Sequence, residues 1–305
     1  MADRHTYATT DDLRDYLSGT NYSSGWTSDG STIRTILETS SGLIDTYCGG
    51  GMFGPKTQTR YYDIGSGSLI DSPQYRRPSY GGNLGSVANM VSVIPLDGWL
   101  ISATTVTSYK QTARTESETL TEGYGNDFLL MPYNFNPKTI LKLNEDTAKG
   151  FYSGQQTLSI LGSWGYQDQK SSGTTTGSIT TTTETSWGVN DASGLSAGQT
   201  ILVGSEQMYI TGISSNTLTV ERAVNGTTAA TASAGTAVYS YVYPSEVVQA
   251  CKDIARIMFR NRDLGVVSNI GAEGEAITTA SNEIDDALGR LEGYRVASTS
   301  NGVIF

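Results

Sequence analysis

The sequence predicts an α+β protein: a four-helix cluster formed by N- and C-terminal helices, an antiparallel β domain in the middle, and an inserted small β module. Three observations carry that expectation. Apolar residues recur every three or four positions in four stretches, two towards each end of the sequence. Between them the pattern changes to short runs of branched and aromatic residues, separated by Gly, Pro and Asn. Composition agrees: 37% hydrophobic, only 16% charged and 35 glycines in 305 residues, a balance that favours many turns and Thr/Ser-decorated strands.

Residues 1–54 hold the first two helices. Thr9-Thr10-Asp11-Asp12 reads as a helix start, Thr9 capping and Asp12 three positions on, with Leu13, Tyr16 and Leu17 as the apolar edge. Ile33, Ile36, Leu37, Ser40, Leu43, Ile44 and Tyr47 form a second stripe, stopped by Gly49-Gly50-Gly51. Residues 55–170 read as the β domain, with strands at Gln58–Ile64, Val91–Ile94, Ile101–Tyr109, Asp127–Met131, Thr139–Leu143 and Gln155–Leu161. Its stretch 71–89 is too long and irregular for an ordinary connection, which makes Tyr75, Arg76, Arg77 and Tyr80 a candidate partner-contact loop.

Ser171–Thr185 is nearly all Ser, Thr and Gly, a flexible linker by composition. It opens the inserted module, 171–240, with strands at Thr200–Val203, Gln207–Ile213, Thr217–Val220 and Gly235–Tyr239. Residues 241–296 supply the last two helices. Pro244 suits a first helical turn. Val247, Cys251, Ile254 and Met258 follow at helical spacing, then Ile277, Ala280, Ile284, Ala287, Leu288, Leu291 and Tyr294. Ile33, Leu37, Ile44, Val247, Cys251, Ile254, Met258, Ile284, Leu288 and Leu291 are thus expected to hold a helical core. In the tail, 297–305, a polar spacer leads to Val303, Ile304 and Phe305. Burying them would yield several kcal/mol at roughly 25 cal/mol per Å², so they are expected to dock either on a partner or neighbouring subunit or back onto their own domain.

Chemistry-bearing motifs are few. Gly194-Leu195-Ser196-Ala197-Gly198 matches a nucleophile elbow, but the sequence holds one histidine, His5, and a serine without such a base is barely nucleophilic. A turn is the expected reading. Gly65-Ser66-Gly67 lacks the third glycine of a dinucleotide site, and no phosphate loop occurs. Two distant cysteines, Cys48 and Cys251, give no zinc spacing and read as buried thiols. The acidic pairs Asp11-Asp12, Glu145-Asp146 and Asp285-Asp286 read as solvated charge, and the 18 tyrosines as packing groups. No cofactor, no metal and no enzymatic activity are expected. A net charge of −10 repels the phosphate backbone, so nucleic acid would be met without being gripped. No run approaches the roughly 18–20 apolar residues of a membrane helix. Synthesis in a cytoplasm and no membrane partner are expected.

Several segments together resemble the head-tail connector (adaptor) proteins of tailed phages. They are the Thr9–Leu17 helix, the Ile33–Tyr47 helix leading to Cys48-Gly49-Gly50, Thr59-Arg60-Tyr61-Tyr62-Asp63, Gly162-Ser163-Trp164-Gly165-Tyr166, and the Tyr243–Asp263 helix with its partner ending at Tyr294. The stretch Val220-Glu221-Arg222-Ala223-Val224-Asn225-Gly226-Thr227-Thr228-Ala229-Ala230 looks like a small β module often inserted in phage structural proteins. The resemblance implies a virion protein at the head-tail interface. It would form a homo-oligomeric ring, twelvefold in the family, beneath the portal protein, with the tail or a head-completion protein docking below. DNA would pass through the lumen without specific binding, and Val303, Ile304 and Phe305 would reach into the portal. The Thr-rich module and the abundant tyrosine suggest an alternative of another class, a carbohydrate- or receptor-binding tail-fibre component.

Overall fold

The structure, a computed structural model, describes residues 4–17, 30–49, 53–64, 92–110, 113–166, 168–263 and 279–295. It divides into two compact units, one drawn from Met1–Lys56 and Gln167–Arg295 and the other from Thr57–Tyr166.

The Thr57–Tyr166 unit is a six-stranded sheet of β1 (Lys56–Ile64), β2 (Val93–Tyr109), β3 (Ser117–Leu120), β4 (Phe128–Met131), β5 (Lys138–Leu143) and β6 (Gly154–Trp164). The order is β1-β6-β2-β5-β4, with β3 paired to β2. Alternate residues turn inward, so that Phe128, Leu130, Leu141, Leu143, Leu158 and Ile160 share one core. β2 was expected as two strands because Pro95 and Gly98 read as breaks. It runs through both, shifting register against β5 between Pro95 and Leu100 and twice against β6, and such bulges absorb the irregular residues. Gly98 leaves room for Arg60: a Cβ there would lie 2.2 Å from its Nη1 and displace the guanidinium, which reaches the Asp97 carboxylate at 3.1 Å.

In the other unit, β7 (Asp168–Thr174), β8 (Ser186–Gly188), β9 (Thr200–Val203), β10 (Glu206–Ser214), β11 (Thr217–Glu221) and β12 (Ala237–Val242) follow the order β7-β12-β9-β10-β11-β8. Just past the two outer strands Thr175 bridges to Val189, so the sheet curls until its edges meet around Trp187, Ile201, Met208, Ile210, Leu218 and Val238. β7 occupies part of what composition presents as a linker. Ser171, Gly173 and Thr174 pair with Tyr239, Val238 and Ala237 of β12. Main-chain N–H and C=O groups are the same in every non-proline residue, so a Ser/Gly/Thr stretch becomes a strand once a partner edge is offered.

Four helices complete this unit: α1 (Thr10–Leu17), α2 (Gly30–Tyr47), α3 (Ser245–Asp263) and α4 (Thr279–Gly289), with a 3-10 turn at Glu292–Tyr294. The expected fold class, a four-helix cluster with a β domain, is wrong. The chain is mostly β, in two antiparallel sheets, and about 24% helical. α1, α2 and α4 each pack on α3, but α2 also leans on the curled sheet: Arg34 donates to the Thr211 carbonyl at 2.7 Å, and the Tyr209 hydroxyl donates to Glu38 at 2.6 Å. An apolar stripe shows that a helix buries one side. It does not say whether a helix or a sheet covers that side. Among the described residues no helix is long and apolar enough to cross a membrane.

Candidate functional site

The helix-bearing unit is tied together by the segment ahead of α1. Thr9 and Asp12 form the expected reciprocal cap, each accepting the other's backbone N–H at 2.9 Å. Upstream, Arg4, His5 and Thr6 belong to no helix or strand, yet His5, Thr6, Tyr7 and Ala8 are buried. Their polar groups are answered one by one. Asn225 accepts from the Arg4 N–H at 2.7 Å and donates to the Arg4 carbonyl at 3.2 Å, and the Thr200 hydroxyl donates to the same carbonyl. Thr6 donates to the Gly198 carbonyl, Thr10 to the Ala197 carbonyl at 3.3 Å, and Ser196 to Asp11.

Side chains anchor the opposite side of the segment. The Pro55 carbonyl faces His5 Nε2 at 3.0 Å and Gln207 Nε2 at 2.9 Å. A carbonyl can only accept, so Nε2 of His5 carries the proton and Nδ1 accepts from the Tyr243 hydroxyl at 3.3 Å. Tyr7 donates to Asp45 and accepts from the Phe53 N–H at 3.1 Å. Burial first, and then the Asp45 carboxylate, holds the Tyr7 hydroxyl well above its ordinary pKa, which keeps it a donor.

This geometry answers the motif question. Ser196 is bonded to Asp11 and His5 to Pro55 and Tyr243, while Gln199 closes a turn by donating to the Ser196 carbonyl at 3.2 Å. The Gly194–Gly198 stretch is a turn against α1. Cys48 and Cys251 are free and buried, with burial pushing their thiols up to about 12 and about 11. Among the described residues no group of three or more His, Cys, Asp or Glu side chains is placed to hold a metal.

Of the residues assigned to the helical core, Ile33, Leu37, Ile44, Val247, Cys251, Ile254, Leu288 and Leu291 are buried, and Ile284 and Met258 half-buried. They pack the unit from within. Tyr75, Arg76, Arg77, Tyr80, Val303, Ile304 and Phe305, as well as Ile277, lie outside the described residues. Where α1, α3 and α4 meet, Tyr16, Asp253, Arg256, Glu283 and Arg290 line a polar cleft of about 430 Å³. Most of its charges are paired: Arg290 and Tyr16 meet Asp253 at 2.8 and 2.6 Å, and Arg256 meets Glu283 at 3.6 Å.

The sheet of the Thr57–Tyr166 unit displays a different kind of surface. Between β4 and β5 runs Pro132-Tyr133-Asn134-Phe135-Asn136-Pro137, with Tyr133 54% and Phe135 72% exposed. The Lys138 ammonium donates to the carbonyls of Pro132, Tyr133 and Phe135 at 2.7, 3.2 and 2.8 Å, which closes the turn and spends its charge inward. Across β4, the β3–β4 turn exposes Tyr124 to 97% and is held by Asp127, which accepts from the Thr121 N–H and Lys149 at 2.8 Å and from Thr147 at 2.7 Å.

No protein-family model, curated protein or solved structure matches the chain. The geometry therefore has to carry the functional reading. It offers a polar-stitched segment at residues 4–11 and turns that hold Tyr124, Tyr133 and Phe135 exposed. Sequence reasoning missed both. The turn was legible as two aromatics bracketed by prolines, whereas nothing local marks Arg4 as a residue that Asn225 grips.

Proposed function

We propose that the chain is a non-enzymatic structural protein of a tailed-phage virion, a head-tail connector forming a ring beneath the portal. It would provide the tail attachment site and part of the DNA exit channel. One observation supports the reading: α1 and α2 pack on α3, so the helical stretches from the two halves of the sequence that share in the resemblance fall in one compact unit, while Thr59–Asp63 and Gly162–Tyr166 belong to the other. A rigid wedge of that kind suits repeated head-to-tail contact in a closed ring. The exposed Tyr133 and Phe135 supply aromatic anchors for a tail-side protein, and Val303, Ile304 and Phe305 an anchor for the portal. A net charge of −10 favours passage of DNA without adhesion.

The test is co-sedimentation with the purified portal protein of the same virion, followed by mass measurement of the complex. A ring of the chain bound to portal is expected. Deleting Ser298–Phe305 should abolish that binding and leave the thermal melt unchanged. Failure of the intact chain to associate, or its location elsewhere on particles by electron microscopy, overturns the reading.

The exposed rings of Tyr124, Tyr133 and Phe135 also favour a second reading, a carbohydrate-binding tail component, because aromatic faces stack on sugars. Binding on a glycan array, with no affinity for portal, would decide for it.

A further inference from the structure

β4 is an outer strand of its sheet, and its main chain is not fully paired. In an antiparallel pair successive residues turn their N–H and C=O groups alternately toward the partner strand and away from it. Asn144 donates to the Asp127 carbonyl at 2.9 Å, so Asp127 faces β5, and by the register Leu129↔Lys142 and Met131↔Ile140 those two residues face it as well. Phe128 and Leu130 therefore face outward. Phe128 is answered by its own chain: its N–H donates to the Thr121 carbonyl at 3.2 Å, and its carbonyl accepts from the Gly123 N–H at 2.9 Å, which lays Glu122 alongside as the start of a further lane. Two positions on, the N–H and carbonyl of Leu130 meet no acceptor or donor among the described residues. The lane is occupied at Phe128 and vacant at Leu130.

The surroundings narrow what fills it. A donor and an acceptor offered together at a sheet edge match another main chain. Exposed rings stand at both ends of β4, Tyr124 in the turn before it and Tyr133 and Phe135 in the turn after it, and the four residues between span about 13 Å. Lys138 and Asp127 spend their charges within the fold, whereas Glu122 keeps an exposed carboxylate with no ion-pair partner among the described residues. We propose that the outer edge of β4 docks an extended segment of a protein partner by strand addition at Leu130, a segment with apolar side chains for the rings and a lysine or arginine for Glu122. The proposal deepens the tail-side contact and rests on the connector reading for the partner's place in the virion, though not for the chemistry of the edge.

The probe is a display library of random short peptides selected on the full-length chain, and the readout is amide hydrogen exchange in chain carrying isotope-labelled leucine. In the free chain the Leu130 amide is expected to exchange about tenfold or more faster than that of Leu129, because only the latter is held by β5. Selected peptides should be apolar with a basic residue, slow the Leu130 amide by about tenfold when bound, and bind more weakly to Glu122→Arg, whose melt stays unchanged. A Leu130 amide as slow in the free chain as its neighbour, no enriched peptide, or a bound peptide that leaves Leu130 exchanging freely overturns the proposal. Glycan binding through the rings, with Leu130 still exchanging freely, overturns it in favour of sugar. Co-sedimentation with portal decides the connector reading separately: a ring without peptide docking removes this site alone, and docking without a ring keeps the site and removes the connector.

Discussion

Within the curled sheet the Arg222 guanidinium meets the Glu206 carboxylate edge-on, Nε at 2.7 Å and Nη2 at 2.6 Å, with 7% and 0% of the two side chains exposed. Remaining donors go to the carbonyls of Thr181, Glu184 and Ala230, and Glu206 accepts the N–H groups of Ala223 and Ala230. Every charge is satisfied, so the pair pins the β7–β8 and β11–β12 loops to the start of β10. Removing one partner strands a buried charge, and Arg222→Met or Glu206→Gln is expected to lower stability by about 3–5 kcal/mol in denaturant unfolding. An unchanged midpoint would contradict the arrangement. Asp127 gives a pH test. Burial alone would raise its pKa, but Lys149, Thr147 and the Thr121 N–H hold it below 3.8. A carboxyl with a lowered folded pKa contributes stability that is present above its unfolded value and lost as pH falls through the folded one. The melting-temperature margin of the natural chain over Asp127→Asn should therefore be full near neutrality and vanish as the pH drops below 3.8. A margin independent of pH would show that the charge plays no part.

Among the elements, the β4–β5 turn separates ring chemistry from ring placement. Tyr133→Ser with Phe135→Ser removes the exposed rings and should leave the melt unchanged; under the proposed connector reading it should weaken association with a tail-side partner more than about tenfold, as loss of central aromatic anchors does. Lys138→Met keeps both rings but frees the turn that three carbonyls now close, so an intermediate loss is expected from the added ordering on binding. Equal affinities for all three chains would remove this turn from the interface. β7 carries the lesson about legibility. Its Ser, Gly and Thr residues look like a spacer because no side chain announces a strand, yet Ser171, Gly173 and Thr174 pair with β12 and only Ser172 is passed over, at a register shift. α1 shows the reverse, since its cap and its buried Leu13 and Leu17 are local signals and appear where they were expected.

At the scale of the whole molecule, the local alphabet was written in the sequence: helix caps, apolar stripes, glycine-bounded strands and the turn at Gly194–Gly198. Those depend on neighbours within a few positions, and periodicity records them. The tertiary structure alone decided what each surface meets. Arg4 and Asn225 stand 221 positions apart, and Tyr209 reaches Glu38 across 171, so no local pattern could announce either bond. For the same reason four matching helical stripes were mistaken for a self-sufficient cluster, when α2 also lies on the curled sheet. Amphipathicity reports how much of an element must be hidden from water, while the choice of cover depends on which distant segments the folded chain brings alongside.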